Sequence, residues 1–144
     1  MATSFQVVID CADPDALARF WAEALHYVMQ SPPPGFDTWE DFLRANNVPE
    51  SEWNSRSAVV DPDGVGPRVF FQRVPESKVA KNRLHLDLHV GGGPGTDLAE
   101  RHTRVDAEVE RLTGLHASRV EAFEEMGEYW VTMRDPEGNE FDVQ

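Results

Sequence analysis

The sequence is poor in cysteine, in basic residues and in long apolar runs. Cys11 is the only cysteine, so no disulfide can form within the chain, and we expect a reducing, cytoplasmic location. Lysine and arginine number 13 against 26 acidic residues, giving a net charge of −13 that repels phosphate backbones and anionic lipid. No apolar run approaches the roughly 20 residues of a membrane helix. Nucleic acid and membranes are therefore not expected partners.

The composition that remains is typical of one globular domain. Hydrophobic residues make up 40% and charged residues 27% of the 144 residues, which is enough to bury one sizeable core. We therefore predict a single domain over residues 1–144.

The order of predicted elements repeats once along the chain. Short apolar runs bounded by turn residues predict strands, and apolar residues at helical spacing predict helices. The order is strand, helix and three strands, in modules over about residues 1–76 and 82–144, with a connection over about 75–82. The predicted strands are Phe5–Cys11, Tyr27–Gln30, Arg56–Val60, Arg68–Val74, Arg83–Val90, Ala117–Ala122, Tyr129–Arg134 and Glu140–Gln144; the helices follow Asp13, span part of Phe36–Asn47, and run from about Leu98 to Gly114.

Alternation along the outer strands separates an apolar face from a polar one. Leu84, Leu86 and Leu88 alternate with His85, Asp87 and His89, for example. The apolar faces are expected to pack on the helices. This predicts an α+β fold of two βαβββ modules, forming an eight-stranded curved mixed sheet around a pocket, with the helices outside.

Three motifs carry a resemblance to a known family. The segment Asp135-Pro136-Glu137-Gly138-Asn139, followed by Glu140 to Val143, resembles the C-terminal signature of the vicinal oxygen chelate superfamily, which includes glyoxalases and bleomycin-resistance proteins. Asp13–Leu25 is similar to the first helix of that family, and Arg83–Leu88 to the strand that opens its second half. The stretch Phe71–His85 further resembles the "glyoxalase-like domain" subgroup.

The resemblance implies a divalent metal site with one ligand from each of four strands. Carried over by position, the ligands are Gln6, Gln72, His85 and Asp142, and the ion would be Zn²⁺, Ni²⁺, Mn²⁺ or Fe²⁺. The family usually has an acid where Gln72 stands, and Asp142 is one methylene shorter than the usual glutamate. Because amide oxygens bind such ions less strongly than carboxylates, the set predicts a weak site or none. The alternative is a metal-free pocket floor of hydrogen-bonding side chains.

Two functions follow, and the sequence leaves both open. The first is a metal-assisted lyase, isomerase or dioxygenase-like enzyme acting on a small oxygen-bearing molecule, with Glu140 or Asp87 as proton carrier. The second is a metal-free protein that sequesters a planar or cationic compound. The resemblance also implies a homodimer. Candidate substrate-binding residues are Trp39, Trp53, Phe70, His89 and Trp130.

Overall fold

The computed structural model describes all residues from 1 to 144 and divides them into two compact units, residues 1–77 and 78–144. Each unit contains one four-stranded sheet with a long helix packed on it. The boundary between the units lies inside the predicted connection. The assignment of the whole chain to a single domain stays a prediction.

Unit 1, residues 1–77, has the strand order β1-β4-β3-β2. Strands β1 and β4 are parallel, and the other neighbours are antiparallel. A second helix and a short 3-10 turn stand between β2 and β3. The elements are β1 Val7–Cys11, α1 Pro14–Leu25, β2 Val28–Met29, α2 Trp39–Ala45, the 3-10 turn Glu50–Glu52, β3 Arg56–Val60 and β4 Val69–Arg73.

Helix α1 has local signals at both of its ends. The Asp13 side chain accepts a hydrogen bond from the N–H of Ala16, and Pro14 occupies the first helical position, where a missing N–H costs nothing. The helix ends at His26, whose φ of 56° is left-handed. Its apolar face, which includes the buried Leu17 and Trp21, packs on β3 and β4.

Unit 2, residues 78–144, repeats this topology with the strand order β5-β8-β7-β6. Strands β5 and β8 are parallel, and the others antiparallel. The sequence places Leu98, His102, Val105, Val109 and Leu112 at helical spacing, and of these Val105, Val109 and Leu112 are buried. The elements are β5 Asp87–Leu88, α3 Leu98–Gly114, β6 Ser118–Glu125, β7 Glu128–Arg134 and β8 Glu140–Val143.

The predicted α+β class, the repeated βαβββ order and the eight strands are confirmed, with hydrogen bonding dividing the strands into two sheets. Strand β3 and helix α3 have the predicted bounds. No helix of the chain combines the length and the apolar composition needed to cross a membrane.

The predicted strand over residues 83–90 is much shorter in the structure. Leu84 is 87% exposed, and of the three leucines only Leu88 is buried. The cause is the side chain of Asn82, which accepts a hydrogen bond from the N–H of Glu140 at 2.8 Å and donates one to its carbonyl at 3.1 Å. Since these contacts occupy the backbone groups that would extend the ladder, the pairing of β5 with β8 starts later.

Candidate metal centre and ligand cavity

A histidine and two aspartates converge on the exposed face of the sheet in unit 2. Asp87 on β5 stands directly opposite Asp142 on β8, and His85 precedes Asp87 by two residues. His85 Nε2 lies 3.3 Å from Asp87 Oδ1 and 3.5 Å from Asp142 Oδ2. Of the predicted residues, the structure brings together His85, Asp142 and Asp87, the last of which was predicted as a proton carrier.

Each of the two carboxylates is oriented through its other oxygen. Thr132 on β7, opposite Asp142 in the ladder, donates its hydroxyl hydrogen to Asp142 Oδ1 at 2.6 Å. Gln144 donates from Nε2 to Asp87 Oδ2 at 3.0 Å. These contacts turn Asp142 Oδ2 and Asp87 Oδ1 toward His85, as outer-sphere hydrogen bonds do in metal sites.

The chemistry of this cluster fits a divalent cation. One imidazole nitrogen and two carboxylate oxygens lie within 4.8 Å of one another. An ion with bonds of about 2.1 Å separates neighbouring ligand atoms by about 3.0–3.4 Å. Of the two distances to His85 Nε2, 3.3 Å lies in this range and 3.5 Å just above it. The two negative charges would balance those of Zn²⁺, Ni²⁺, Mn²⁺ or Fe²⁺.

Glu140, the other predicted proton carrier, is engaged in a network that holds the start of unit 2. Lys78 Nζ lies 3.0 Å from Glu140 Oε2, and the N–H of Asn82 donates to the same oxygen at 3.2 Å. Burial raises the pKa of Glu140, but these hydrogen bonds outweigh that effect and the pKa is lowered overall. A carboxylate held ionised by two partners favours a structural role. Proton transfer by Glu140 stays a prediction.

Two more predicted residues lie in unit 2 outside the cluster. His89 is exposed. Trp130, half-buried on β7, stacks on Phe123 of β6, with ring centroids 5.3 Å apart and planes 16° apart. This stacking leaves an aromatic surface on the same strand as Thr132, and substrate contact by His89 or Trp130 stays a prediction.

Gln6 and Gln72 belong to unit 1, where each amide has a partner. Arg68 donates to Gln6 Oε1 at 2.8 Å, and Gln72 donates from Nε2 to Asp10 Oδ1 at 2.9 Å. The ladder places Asp10 opposite Gln72, so Gln6 stands four residues before the partner of Gln72. His85, by contrast, stands two residues before Asp87, the partner of Asp142. If unit 1 follows the same spacing, the counterpart of Asp142 is the residue paired with the position two residues after Gln6. That residue is Phe70, which offers no ligand atom. Metal ligation by Gln72 stays a prediction.

The aromatic residues predicted to bind substrate line one cavity in unit 1. Its volume is about 980 Å³, and Trp39, Trp53 and Phe70 all contribute to its wall. Trp39 donates from its indole to the carbonyl of Gln30 at 2.7 Å, and Trp53 to that of Val48 at 2.9 Å. With their N–H groups satisfied, both indoles present apolar surface. The structure therefore groups these three residues as a candidate ligand site.

Sequence reasoning did not select the side chains that position these groups. Thr132 lies two residues after Trp130 on one face of β7, and Arg68 lies two residues before Phe70, so strand alternation could have indicated both. Gln144 follows Asp142 in the same way. Each was missed because a polar residue on an exposed strand face is more often simply solvated.

Comparison with known proteins gives the family. Residues 6–144 match the glyoxalase-like domain family, which covers nearly the whole chain. The chain belongs to this family. The resemblance seen in the sequence is thereby confirmed. A search of curated proteins gave no match.

Solved structures of glyoxalase-like proteins share the fold. A glyoxalase/bleomycin resistance protein/dioxygenase family enzyme from Burkholderia phytofirmans aligns with a TM-score of 0.62 at 13% identity, covering 96% of this chain and 94% of its own. A fosfomycin resistance protein, FosX, from Listeria monocytogenes, solved with Mn(II) and 1S,2S-dihydroxypropylphosphonic acid, aligns at 0.63 and 10% identity, covering 100% and 90%. Lactoylglutathione lyase from Agrobacterium tumefaciens aligns at 0.54 and 14% identity, covering 99% and 92%.

Proposed function

We propose that the protein is a divalent-metal-dependent enzyme, a lyase, isomerase or dioxygenase-like protein, acting on a small oxygen-bearing molecule. The observation that carries this proposal is the orientation of Asp87 Oδ1 and Asp142 Oδ2 toward His85 Nε2, with the second oxygen of each carboxylate held by Gln144 or Thr132. That FosX was solved with Mn(II) supports it. In this proposal Asp87 is the third ligand of the ion. It replaces the acidic ligand that the family usually has in the first half of the chain, where this sequence has a glutamine.

The roles of the side chains follow from their contacts. His85, Asp87 and Asp142 would hold the ion, while Thr132 and Gln144 keep the carboxylates in a binding orientation. A bound divalent ion would polarise an oxygen of the substrate and lower the pKa of the substrate's acidic group next to that oxygen. Asp87 would also supply the carboxylate that accepts this proton, at Oδ1.

A calorimetric titration of the metal-free protein tests the proposal. The chain is treated with EDTA, dialysed, and titrated with MnCl₂ and NiCl₂, with MgCl₂ as the reference ion. We expect one site per chain for Mn²⁺ or Ni²⁺ and a higher unfolding temperature in its presence, because a ligand that binds only the folded state stabilises it. If neither ion binds nor raises the unfolding temperature, the enzyme proposal is wrong.

Replacing Thr132 with valine should weaken metal binding about tenfold without unfolding the protein. Valine keeps the branched shape of threonine but has no hydroxyl, so Asp142 Oδ1 loses its donor and the carboxylate is free to rotate. The same titration measures the affinity. Thr103→Val on helix α3 is the control, since it also removes a hydroxyl that donates a hydrogen bond, here to the carbonyl of Ala99 in the same helix. An unchanged affinity in Thr132→Val would show that Asp142 needs no orienting contact.

The cavity of unit 1 favours a second candidate function, the metal-free binding of a planar compound. Three aromatic side chains, Trp39, Trp53 and Phe70, line it, and stacking on such surfaces is a common means of holding flat ligands. If this protein binds an aromatic compound but none of the metal ions, the second function is the correct one.

We also propose that the protein is a cytoplasmic homodimer. The family resemblance supports the dimer, and the single cysteine supports the location.

A further inference from the structure

The charges around the cavity of unit 1 are unevenly paired. Unit 1 has five arginines and no lysine. Arg19, Arg44 and Arg73 form ion pairs with Asp15, Asp41 and Glu52. The other two, Arg56 and Arg68, take part in no ion pair, and both line the cavity. The two arginines of unit 1 that have no carboxylate partner are thus found at one site, in a chain with twice as many acids as bases.

Arg68 is held in place by neutral groups. Its Nε donates to Gln30 Oε1 at 2.6 Å, and its Nη1 donates to Gln6 Oε1 at 2.8 Å. The guanidinium carbon lies 5.1 Å from the centroid of the Phe70 ring. These contacts fix the orientation of the guanidinium but leave its charge unneutralised, and the N–H groups of Nη2 remain for a further acceptor.

The acidic residues of the wall do not cancel this charge. Asp15 and Glu52 are already paired with Arg19 and Arg73. Asp37 and Glu40, the other two, are exposed residues of the insertion. Arg68 is half-buried, so its interaction with an ion inside the cavity is screened less by solvent than theirs.

We propose that the cavity of unit 1 binds a planar aromatic molecule carrying an anionic group, such as a carboxylate, which Arg68 receives at Nη2. The ring of the ligand lies among Trp39, Trp53 and Phe70, and Arg56 adds a second positive charge to the wall. This inference rests on the proposal that the chain binds a small molecule, but not on metal binding. It departs from the cationic ligand that the net charge of the chain suggested.

Three ligands with one ring system and different charges test this assignment: 2-naphthoate, 2-naphthamide and 2-naphthylmethylammonium. Each is titrated calorimetrically into the full chain with EDTA present, so that the result is separate from the titration with metal ions. We expect 2-naphthoate to bind about tenfold more tightly than the amide, as one charge-assisted contact predicts, and the cation to bind most weakly. The inference is overturned if the amide or the cation binds as tightly as the carboxylate, or if none of the three binds.

Variants then assign the preference to Arg68. Arg68→Gln should raise the Kd of 2-naphthoate about tenfold, to that of the amide, and leave the Kd of the amide unchanged. Arg104→Gln, which removes the same charge from an ion pair on α3, is the control and should leave both values unchanged. Arg56→Gln, on an exposed side chain, should raise the Kd of 2-naphthoate less than Arg68→Gln, and provides a test if Arg68→Gln does not fold. If both variants fold and retain the full preference, the site does not recognise the anion.

Discussion

Replacing His85 with alanine should abolish stoichiometric metal binding by unit 2 and lower the affinity for Mn²⁺ or Ni²⁺ about a hundredfold or more. Its Nε2 is the only nitrogen of the cluster and lies within 3.5 Å of a carboxylate oxygen on each side. Without it the two aspartates are left as a pair of like charges, which binds ions weakly and without a fixed geometry. The calorimetric titration used for the wild-type chain measures the loss.

His89→Ala is the matched control for this prediction. It removes the same imidazole four residues further along the chain, from an exposed position outside the cluster of metal-binding groups. Its affinity for the ions should equal that of the wild type. Equal losses in the two variants would mean that the histidines act only through the overall charge of the surface, and would contradict a metal centre at His85.

Replacing Trp21 with alanine should destabilise the protein by about 3–5 kcal/mol. The side chain is 2% exposed and is the largest among those that are fully buried. It lies on the face of α1 that covers the sheet of unit 1, with its ring edge-on to Phe20 at 5.4 Å between centroids. Truncation removes this apolar contact and leaves a void that the helix and sheet can only partly close. Urea unfolding followed by circular dichroism measures the change in free energy.

Trp39→Ala deletes the same side chain from the insertion and should cost only about 1 kcal/mol. Trp39 is 38% exposed, and its main contacts are the hydrogen bond to Gln30 and the edge of Phe42. The comparison therefore separates a core tryptophan from one available to a ligand. A loss in Trp39→Ala as large as that in Trp21→Ala would mean that α2 belongs to the core of unit 1.

Helices α1 and α3 and strand β3 could be predicted because their signals are local. Asp13 and Pro14 mark the start of α1, and the stripe of Val105, Val109 and Leu112 defines the buried face of α3. The length of strand β5 could not be predicted, because it depends on Asn82, whose side chain contacts the backbone of Glu140, 58 residues away. No pattern within residues 83–90 contains that information.

The sequence by itself determined the family, the repeated order of elements and the choice of His85 and Asp142, since each depends on residues close together in the chain or in a recognisable motif. Only the tertiary structure decided which side chains act together. Strand pairing placed Asp87 opposite Asp142 and let Thr132 orient it, and it set Gln6 and Gln72 apart in their ladder. The tertiary structure also decided which charged groups pair with each other. It left Arg68 hydrogen-bonded to two side-chain amides. The physical reason is that metal binding and ion recognition depend on distances of about 3 Å between side chains from distant segments, and only the folded chain fixes these distances.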